Sequence, residues 1–272
     1  MSEATLDDAV HALMRDVSER AILPHYQRLS ADQIEAKAAD DLVTVADKLS
    51  EEMLAEGLAK ILPDLAIVGE EAAHADPSIM DRLSGDCWIV DPVDGTNNFA
   101  AGKPPFGIIL AMASAGETLA GWIYDPLTGR FCRARKGQGA FIGEERITAR
   151  GTGEEPPVAA ISLLFMDPAQ REAMRTHIAP HYRLVDIPRC AAEQYPRLAL
   201  GENDIAIVER TLPWDHAAGV LFLNEAGGKA ARPDGSPYRV DQHGVTGLIC
   251  AAGAELWEGM AERLTARSGA TA

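Results

Sequence analysis

The chain has little cysteine, few aromatic residues and a deficit of positive charge. Each shortage excludes something. The four cysteines, Cys87, Cys132, Cys190 and Cys250, stand far apart with no C-x-x-C pair. That spacing suggests neither a zinc site nor a disulfide framework. Cys87 and Cys250 lie in apolar strand-like runs and read as buried free thiols. No apolar run reaches the roughly 18 residues a membrane helix needs. The first eight residues, Met1-Ser2-Glu3-Ala4-Thr5-Leu6-Asp7-Asp8, lack the basic and apolar regions of a signal peptide, so a cytoplasmic protein is expected. Lys and Arg number 25 against 41 Asp and Glu, a formal net charge of −16. That balance disfavours nucleic acid and anionic membrane as direct partners. It also repels a phosphorylated substrate, unless bound divalent cations reverse the field locally. Internal repeats and low-complexity tracts are likewise missing. At 272 residues, 47% hydrophobic and 24% charged, the chain suits one large soluble domain or two small ones.

The stretch richest in chemistry is Asp91-Pro92-Val93-Asp94-Gly95-Thr96-Asn97-Asn98-Phe99. It follows an apolar run, Cys87-Trp88-Ile89-Val90, that reads as a buried strand. Pro92 is expected to stop this strand, so that Asp91 and Asp94 leave it through a tight turn. Carboxylates that close repel one another unless a cation or a shared proton lies between them. Gly95 lets backbone approach a ligand, and Thr96 is expected to open a short helix whose N–H groups favour a phosphate. Hard oxygen ligands beside an anion-binding helix start suit a Mg²⁺-dependent phosphoryl enzyme.

Helical spacing of Val10, Leu13, Met14, Val17, Ala21 and Ile22 predicts a helix from about residue 6 to 29, kinked or ended by Pro24. Thr44 reads as the N-cap of a second helix running to about Lys60, with Asp47 in its first turn. Residues 65–68 read as a strand ending at Gly69-Glu70-Glu71, where acids often face a ligand. Residues 74–85 read as a polar loop. A long strand is predicted over 106–115, then a hairpin of 118–124 and 131–135 turned by Asp125-Pro126-Leu127-Thr128-Gly129. Gly137-Gln138-Gly139 is too weak a signal for a nucleotide loop. Residues 150–157 are the best internal boundary. Beyond them, strand-like segments at 158–165, 182–187, 204–208 and 246–251 alternate with helix-like segments at 168–179, 191–201, 214–226 and 254–267. An α+β half, residues 1–150, is thus followed by an α/β half, residues 151–272. Asp215 falls at or near the N-cap of the 214–226 helix, and Glu225-Ala226-Gly227-Gly228 closes it. Pro180 between His177 and His181 argues against a zinc-binding helix face. His216 reads as a partly exposed helix residue rather than a catalytic base.

Four stretches taken together resemble the inositol monophosphatase family of Mg²⁺-dependent, lithium-sensitive phosphatases. They are Lys37 to Asp47, Gly69-Glu70-Glu71, Trp88 to Phe99, and Trp214-Asp215 through Gly228, and they span nearly all of the chain. The resemblance implies one domain over residues 1–272, a layered α-β-α-β-α sandwich that usually forms a homodimer. It implies metal ligation by the carboxylates of Glu70, Asp91, Asp94 and Asp215 and by the Val93 carbonyl, with roughly two or three Mg²⁺ per subunit. Glu70 and Thr96, with Asp47 behind Thr96, would orient and deprotonate the attacking water. Lys37 would balance charge near the metals. Asp94, Gly95, Thr96 and Asp215 would contact the substrate, a small phosphorylated metabolite, and no protein nucleophile is required.

The match departs from the family's pattern in the substrate pocket. Where the family carries Gly-Ser/Thr-Ala-Ala, this chain has Arg189-Cys190-Ala191-Ala192, followed by Glu193. Upstream of Trp214, Glu209-Arg210-Thr211-Leu212-Pro213 is one residue shorter than usual. Glu209 is the candidate polyol ligand. Arg189 and Arg210 instead suit a second anionic group. The default substrate is myo-inositol 1-phosphate. The alternatives are histidinol phosphate, 3′-phosphoadenosine nucleotides, fructose 1,6-bisphosphate, and a non-catalytic role bound to the transcription machinery.

Overall fold

The computed structural model describes residues 2–38 and 41–268. Ala39 and Asp40, inside the Lys37–Asp47 stretch, lie outside the described residues.

Helix α1 (Glu3–Val17) is capped by the Ser2 hydroxyl, which accepts the Thr5 N–H at 3.2 Å. It buries Leu6, Val10, Met14 and Val17, the face given by helical spacing. One π-helical turn over Ser18–Ile22 follows, then irregular turns, so the helix ends well before residue 29. A short antiparallel hairpin, β1 (Ile34–Ala38) and β2 (Asp41–Thr44), comes next and was not predicted. Helix α2 (Val45–Ile61) starts where expected. The Asp47 carboxylate accepts the Thr44 N–H at 2.8 Å, and the Thr44 hydroxyl accepts the Ala46 N–H at 3.2 Å.

The large sheet holds seven strands, in order β3 (Ala66–Gly69), β4 (Cys87–Asp94), β5 (Gly107–Ser114), β6 (Glu117–Tyr124), β7 (Phe131–Arg135), β8 (Gly139–Ile142) and β9 (Glu145–Ile147). Only β3 and β4 pair in parallel. Between them runs α3 (Glu70–Ala75) and then a 3₁₀ stretch over Pro77–Ser84, so the expected polar loop is helical. A second correction concerns Pro92. It does not stop β4, which continues to Asp94 with all eight residues buried. Asp91 pairs with Ile109 and Asp94 with Gly107, so β4 carries one extra residue there. Proline lacks the N–H a ladder position demands, and this bulge accommodates it. Asp94 is followed by Gly95 and the single-turn helix α4 (Thr96–Ala100).

The small sheet runs in the order β11 (Arg183–Leu184), β10 (Val158–Ile161), β12 (Ile205–Val208), β14 (Leu248–Ala251), β13 (Lys229–Ala231). The strands expected at 158–165 and 182–187 are therefore shorter, because the residues that follow β10 turn away toward a cleft. Helices α5 (Pro168–Ala173), α6 (Ala191–Leu200), α7 (Pro213–Glu225) and α8 (Ala254–Ser268) complete the α-helices among the described residues.

The layering follows from two-sided burial. On β4, Trp88 and Val90 face a core shared with α1 and α2, while Cys87 and Ile89 face one shared with α6 and α7. That second core also takes Ala206 and Cys250 from the small sheet, so α6 and α7 lie between the two sheets. The outer face of the small sheet packs Ile205 and Ile249 against Trp257 and Met260 of α8. The result is the expected α-β-α-β-α order. Helix α7 is buried nearly all round, as a helix between two sheets must be. All four cysteines are buried free thiols. Among the described residues, no helix is long and apolar enough to cross a membrane.

Candidate active site

The bulge at the end of β4 aims two carboxylates out of a strand into one cleft. Asp91 is 1% exposed and Asp94 8%. Asp215 arrives from α7, where Pro213 occupies the first helical position. Leu212 is the N-cap, so Asp215 sits near it, inside the first turn. Each of the three offers an oxygen, and those oxygens all lie within 4.8 Å of one another. Burial, then the charges of Glu70, Asp94, Asp215 and Asp47, push the Asp91 carboxyl well above the usual carboxylate range. Burial also raises Asp94, though hydrogen bonds oppose it: its Oδ2 accepts the Ala192 N–H at 2.6 Å and the Cys190 thiol at 3.0 Å. A cluster of hard oxygens that repel one another in a buried place fits divalent cations such as Mg²⁺.

Glu70 opens α3 beside this cluster. Its carboxyl is raised to about 8 by burial, opposed by Lys37 and reinforced by Asp215 and Glu71. Lys37 comes from β1, and its Nζ lies 2.9 Å from Glu70 Oε1 and 2.6 Å from Glu71 Oε1. Burial alone would lower this ammonium, but the two carboxylates outweigh it and raise it. Glu51 of α2 fixes the start of α3, accepting the Glu71 and Ala72 N–H groups at 2.8 Å each. That contact forbids a side chain at Gly69, where a Cβ would lie 2.4 Å from the Glu51 carboxyl.

Thr96 and Asp47 meet across the chain. The Thr96 hydroxyl lies 3.1 Å from Asp47 Oδ1 and 2.9 Å from the Val93 carbonyl. Its one proton goes to either acceptor, which leaves the oxygen's lone pairs to receive a hydrogen bond from a water. Asp47 is raised to about 6 by burial, against the pull of the Thr44 bonds. Gly95 has φ of +83°, and a Cβ there would lie 2.9 Å from the Pro105 carbonyl and 3.2 Å from Cys190 Cβ. Only glycine fits both the dihedral and the space.

The cleft has a volume of about 190 Å³, room for one small molecule rather than a polymer. Its floor includes Glu70, Asp91, Asp94 and Asp215; its walls carry Arg189, Glu209 and Arg210. So every expected site residue except Lys37, Asp47 and Val93 lines this one cleft, and those three touch residues that do. Glu193 does not line it, and instead pairs with Arg130 at 2.5 Å and Arg197 at 2.7 Å.

His216 overturns its expectation. It is 6% exposed, takes the Tyr195 hydroxyl on Nδ1 at 2.8 Å and meets the Arg210 carbonyl through Nε2 at 3.1 Å. The carbonyl can only accept, so Nε2 carries the proton and Nδ1 receives one from Tyr195. Burial lowers the ring's pKa to about 4, keeping it neutral. Cys190, Tyr195, Phe165 and Glu51 are further contributors that sequence reasoning did not single out. Their contacts are all long-range and leave no local pattern.

The comparisons agree with this geometry. The model of the inositol monophosphatase family matches residues 4–268. An inositol-1-monophosphatase of Bacillus subtilis is 30% identical over 88% of this chain and 90% of its own. A protein of Pasteurella multocida named Nus factor SuhB is 32% identical over 75% of this chain and 76% of its own. The solved IMPase of Thermotoga maritima superposes with a TM-score of 0.77 at 27% identity, covering 96% of this chain and 98% of its own. With the family model covering nearly the whole chain and the acidic cleft in place, this chain belongs to the inositol monophosphatase family and is a phosphomonoester hydrolase.

Proposed function

We propose that the protein hydrolyses a small phosphomonoester with Mg²⁺, and that myo-inositol 1-phosphate is the first substrate to test. The observation that carries this reading is the convergence of Asp91, Asp94 and Asp215 within 4.8 Å, beside the Thr96–Asp47 pair. In this reading Asp91, Asp94, Asp215, Glu70 and the Val93 carbonyl hold the ions. Bound Mg²⁺ supplies Lewis-acid chemistry, offsetting phosphate charge and easing deprotonation of water.

The remaining steps belong to the chain. Thr96, its hydroxyl donating a hydrogen bond to the Asp47 carboxylate or the Val93 carbonyl, accepts one from the attacking water and so aligns an oxygen lone pair on phosphorus. Glu70 takes the water's proton as general base, and Lys37 holds the Glu70 carboxylate in position. The Gly95 and Thr96 N–H groups meet phosphate oxygens. The phosphorus–alkoxide bond breaks as the new phosphorus–oxygen bond forms in line; the alkoxide takes a proton from a solvent water and leaves as the alcohol, and Glu70 returns its proton to solvent. Glu209, braced by a 3.2 Å bond from Gln170 Nε2, hydrogen-bonds hydroxyls of the alcohol half.

The name of the Pasteurella relative raises a partner-binding role, but nothing in the cleft favours it over catalysis. The test is phosphate release from inositol 1-phosphate, histidinol phosphate, adenosine 3′,5′-bisphosphate and fructose 1,6-bisphosphate, with and without Mg²⁺ and with added Li⁺. Mg²⁺-dependent release, inhibited by Li⁺, is expected. Equal release without Mg²⁺, or none from any substrate, would reject the reading.

A further inference from the structure

Two lips face each other over the cleft. One is the turn after β10, residues 162–166; the other is the short strap 209–212 between β12 and α7. At the first lip, Phe165 is 49% exposed and has φ of +62°. A bulky residue in the left-handed region is a genuine outlier, and it persists only where its surroundings hold it. Burial does not hold it, since the ring is half open to solvent. Its ring does have a partner: the Arg210 guanidinium carbon lies over it, 4.0 Å from its centre, a cation–π contact.

The strap that delivers Arg210 is fastened from behind. His216 Nε2–H binds the Arg210 carbonyl at 3.1 Å. The buried Arg232 binds the Thr211 hydroxyl at 2.8 Å and the Gly247 carbonyl at 3.0 Å. The Glu209 carbonyl accepts the Gly247 N–H at 2.8 Å. From α5, just beyond the first lip, Gln170 Nε2 donates to Glu209 Oε1 at 3.2 Å. Phe165 and Arg210 both line the cleft, so two planar groups, an aromatic ring and a guanidinium, lie together on its wall. Leu164, Ile187 and Pro188 line the same wall and offer no side-chain hydrogen bond.

We infer that Phe165 and Arg210 are specificity-determining residues that select phosphomonoesters whose alcohol half carries a planar ring. A flat ring of any identity presents a π face that an aromatic or guanidinium plane can stack upon. A polyol presents hydroxyls instead; Glu209 can meet some of them, but those against Leu164, Ile187 and Pro188 would lose water without gaining a side-chain partner. The inference rests on the phosphatase reading of the floor of the cleft.

The experiment measures kcat and KM of the Mg²⁺-loaded full chain on 2-phenylethyl phosphate, propyl phosphate and inositol 1-phosphate. The first two share a primary alkoxide leaving group and differ in the ring. The wild type should favour 2-phenylethyl over propyl phosphate by about tenfold in kcat/KM, within the range of one aromatic stack. That preference should collapse through KM in Phe165→Leu, which keeps apolar bulk and loses the flat face, and survive in Phe165→Tyr. Arg210→Met should reduce it in part. An equal preference in wild type and Phe165→Leu overturns the assignment, as does wild-type turnover with no ring preference; in both cases hydrolysis of inositol 1-phosphate leaves the phosphatase reading standing. Failure of the wild type to hydrolyse any of the three rejects that reading and the assignment with it.

Discussion

At the scale of single residues, the site is a set of charges held where their mutual repulsion is strong. Asp94 shows how that can be tested without unfolding the protein. In Asp94→Asn the amide oxygen can still accept the Ala192 N–H that Oδ2 takes now at 2.6 Å, while the NH₂ end faces the cluster. Mg²⁺-dependent turnover should fall by roughly 100-fold or more. In EDTA the variant should melt no lower than wild type, because one repelling charge has gone. Wild-type-like turnover would remove Asp94 from the proposed metal site. His216 gives a pH prediction with a definite sign. Its pKa is 6.5 in the unfolded chain and about 4 when folded, so the unfolded state binds the proton first as pH falls. The stability it contributes is present above about pH 6.5 and lost progressively down to about pH 4. At about pH 5 the loss is on the order of 2 kcal/mol. His216→Gln lacks this titration, so urea unfolding should show its deficit against wild type narrowing between about pH 7.5 and about pH 5. Raised acids such as Asp47 affect both proteins alike and cancel in the comparison. A deficit independent of pH would mean that His216 is not held neutral.

At the scale of elements, the position of α7 depends on how closely it can approach the large sheet. A Cβ at Gly121 of β6 would lie 2.7 Å from the Ala218 Cα, a backbone atom with no freedom to move aside. Gly121→Ala should therefore cost about 1–3 kcal/mol by overpacking. For a protein of this size that lowers the melting temperature by roughly 2–4 °C per kcal/mol. Because α7 carries Asp215, the displacement should also weaken Mg²⁺-dependent activity more than an equally destabilising change in α8. Calorimetry paired with phosphate release would decide. Here the division between legible and illegible elements has a physical basis. Helix α2, strands β4 and β5 and the β6–β7 hairpin carry strong periodicity, caps or turn residues, which locate them to within a few residues. The β1–β2 hairpin, α3 with the 3₁₀ stretch after it, and the short strands β8, β9 and β13 have few buried apolar residues, and tertiary context decides them. The same holds in the site. Asp91 and Asp94 stand together in one local run, and Glu70 and Asp215 become candidates through the resemblance of four stretches taken together, whereas Cys190 and Phe165 meet partners tens of residues away. Pro92 looks like a strand stop in sequence, but a bulge rather than a chain break absorbs its missing N–H.

At the scale of the whole molecule, the formal charge of −16 and the acidic floor of the cleft act together on stability. Both oppose the folded state through self-repulsion, and salt and Mg²⁺ relieve them in different ways. Monovalent salt screens the diffuse surface charge, yet penetrates little to a buried cluster such as Asp91, at 1% exposure, and Asp94, at 8%. A divalent ion bound among those carboxylates favours the native state by mass action, about 2.7 kcal/mol at a concentration 100 times its Kd. Titrating MgCl₂ against NaCl at matched ionic strength should then separate the two contributions in thermal melts. NaCl should raise the melting temperature slightly and without saturation. MgCl₂ should add a saturable rise of roughly 5–10 °C above it, from that free energy and the size scaling of melting temperature. In Asp94→Asn and Asp215→Asn the saturable part should shrink while the salt-dependent part remains, because the surface charge is almost unchanged. Were the Mg²⁺ rise to equal that of NaCl in wild type, the acidic cluster would be answering only to screening, and the metal-dependent reading of the cleft would lose its physical basis independently of any substrate.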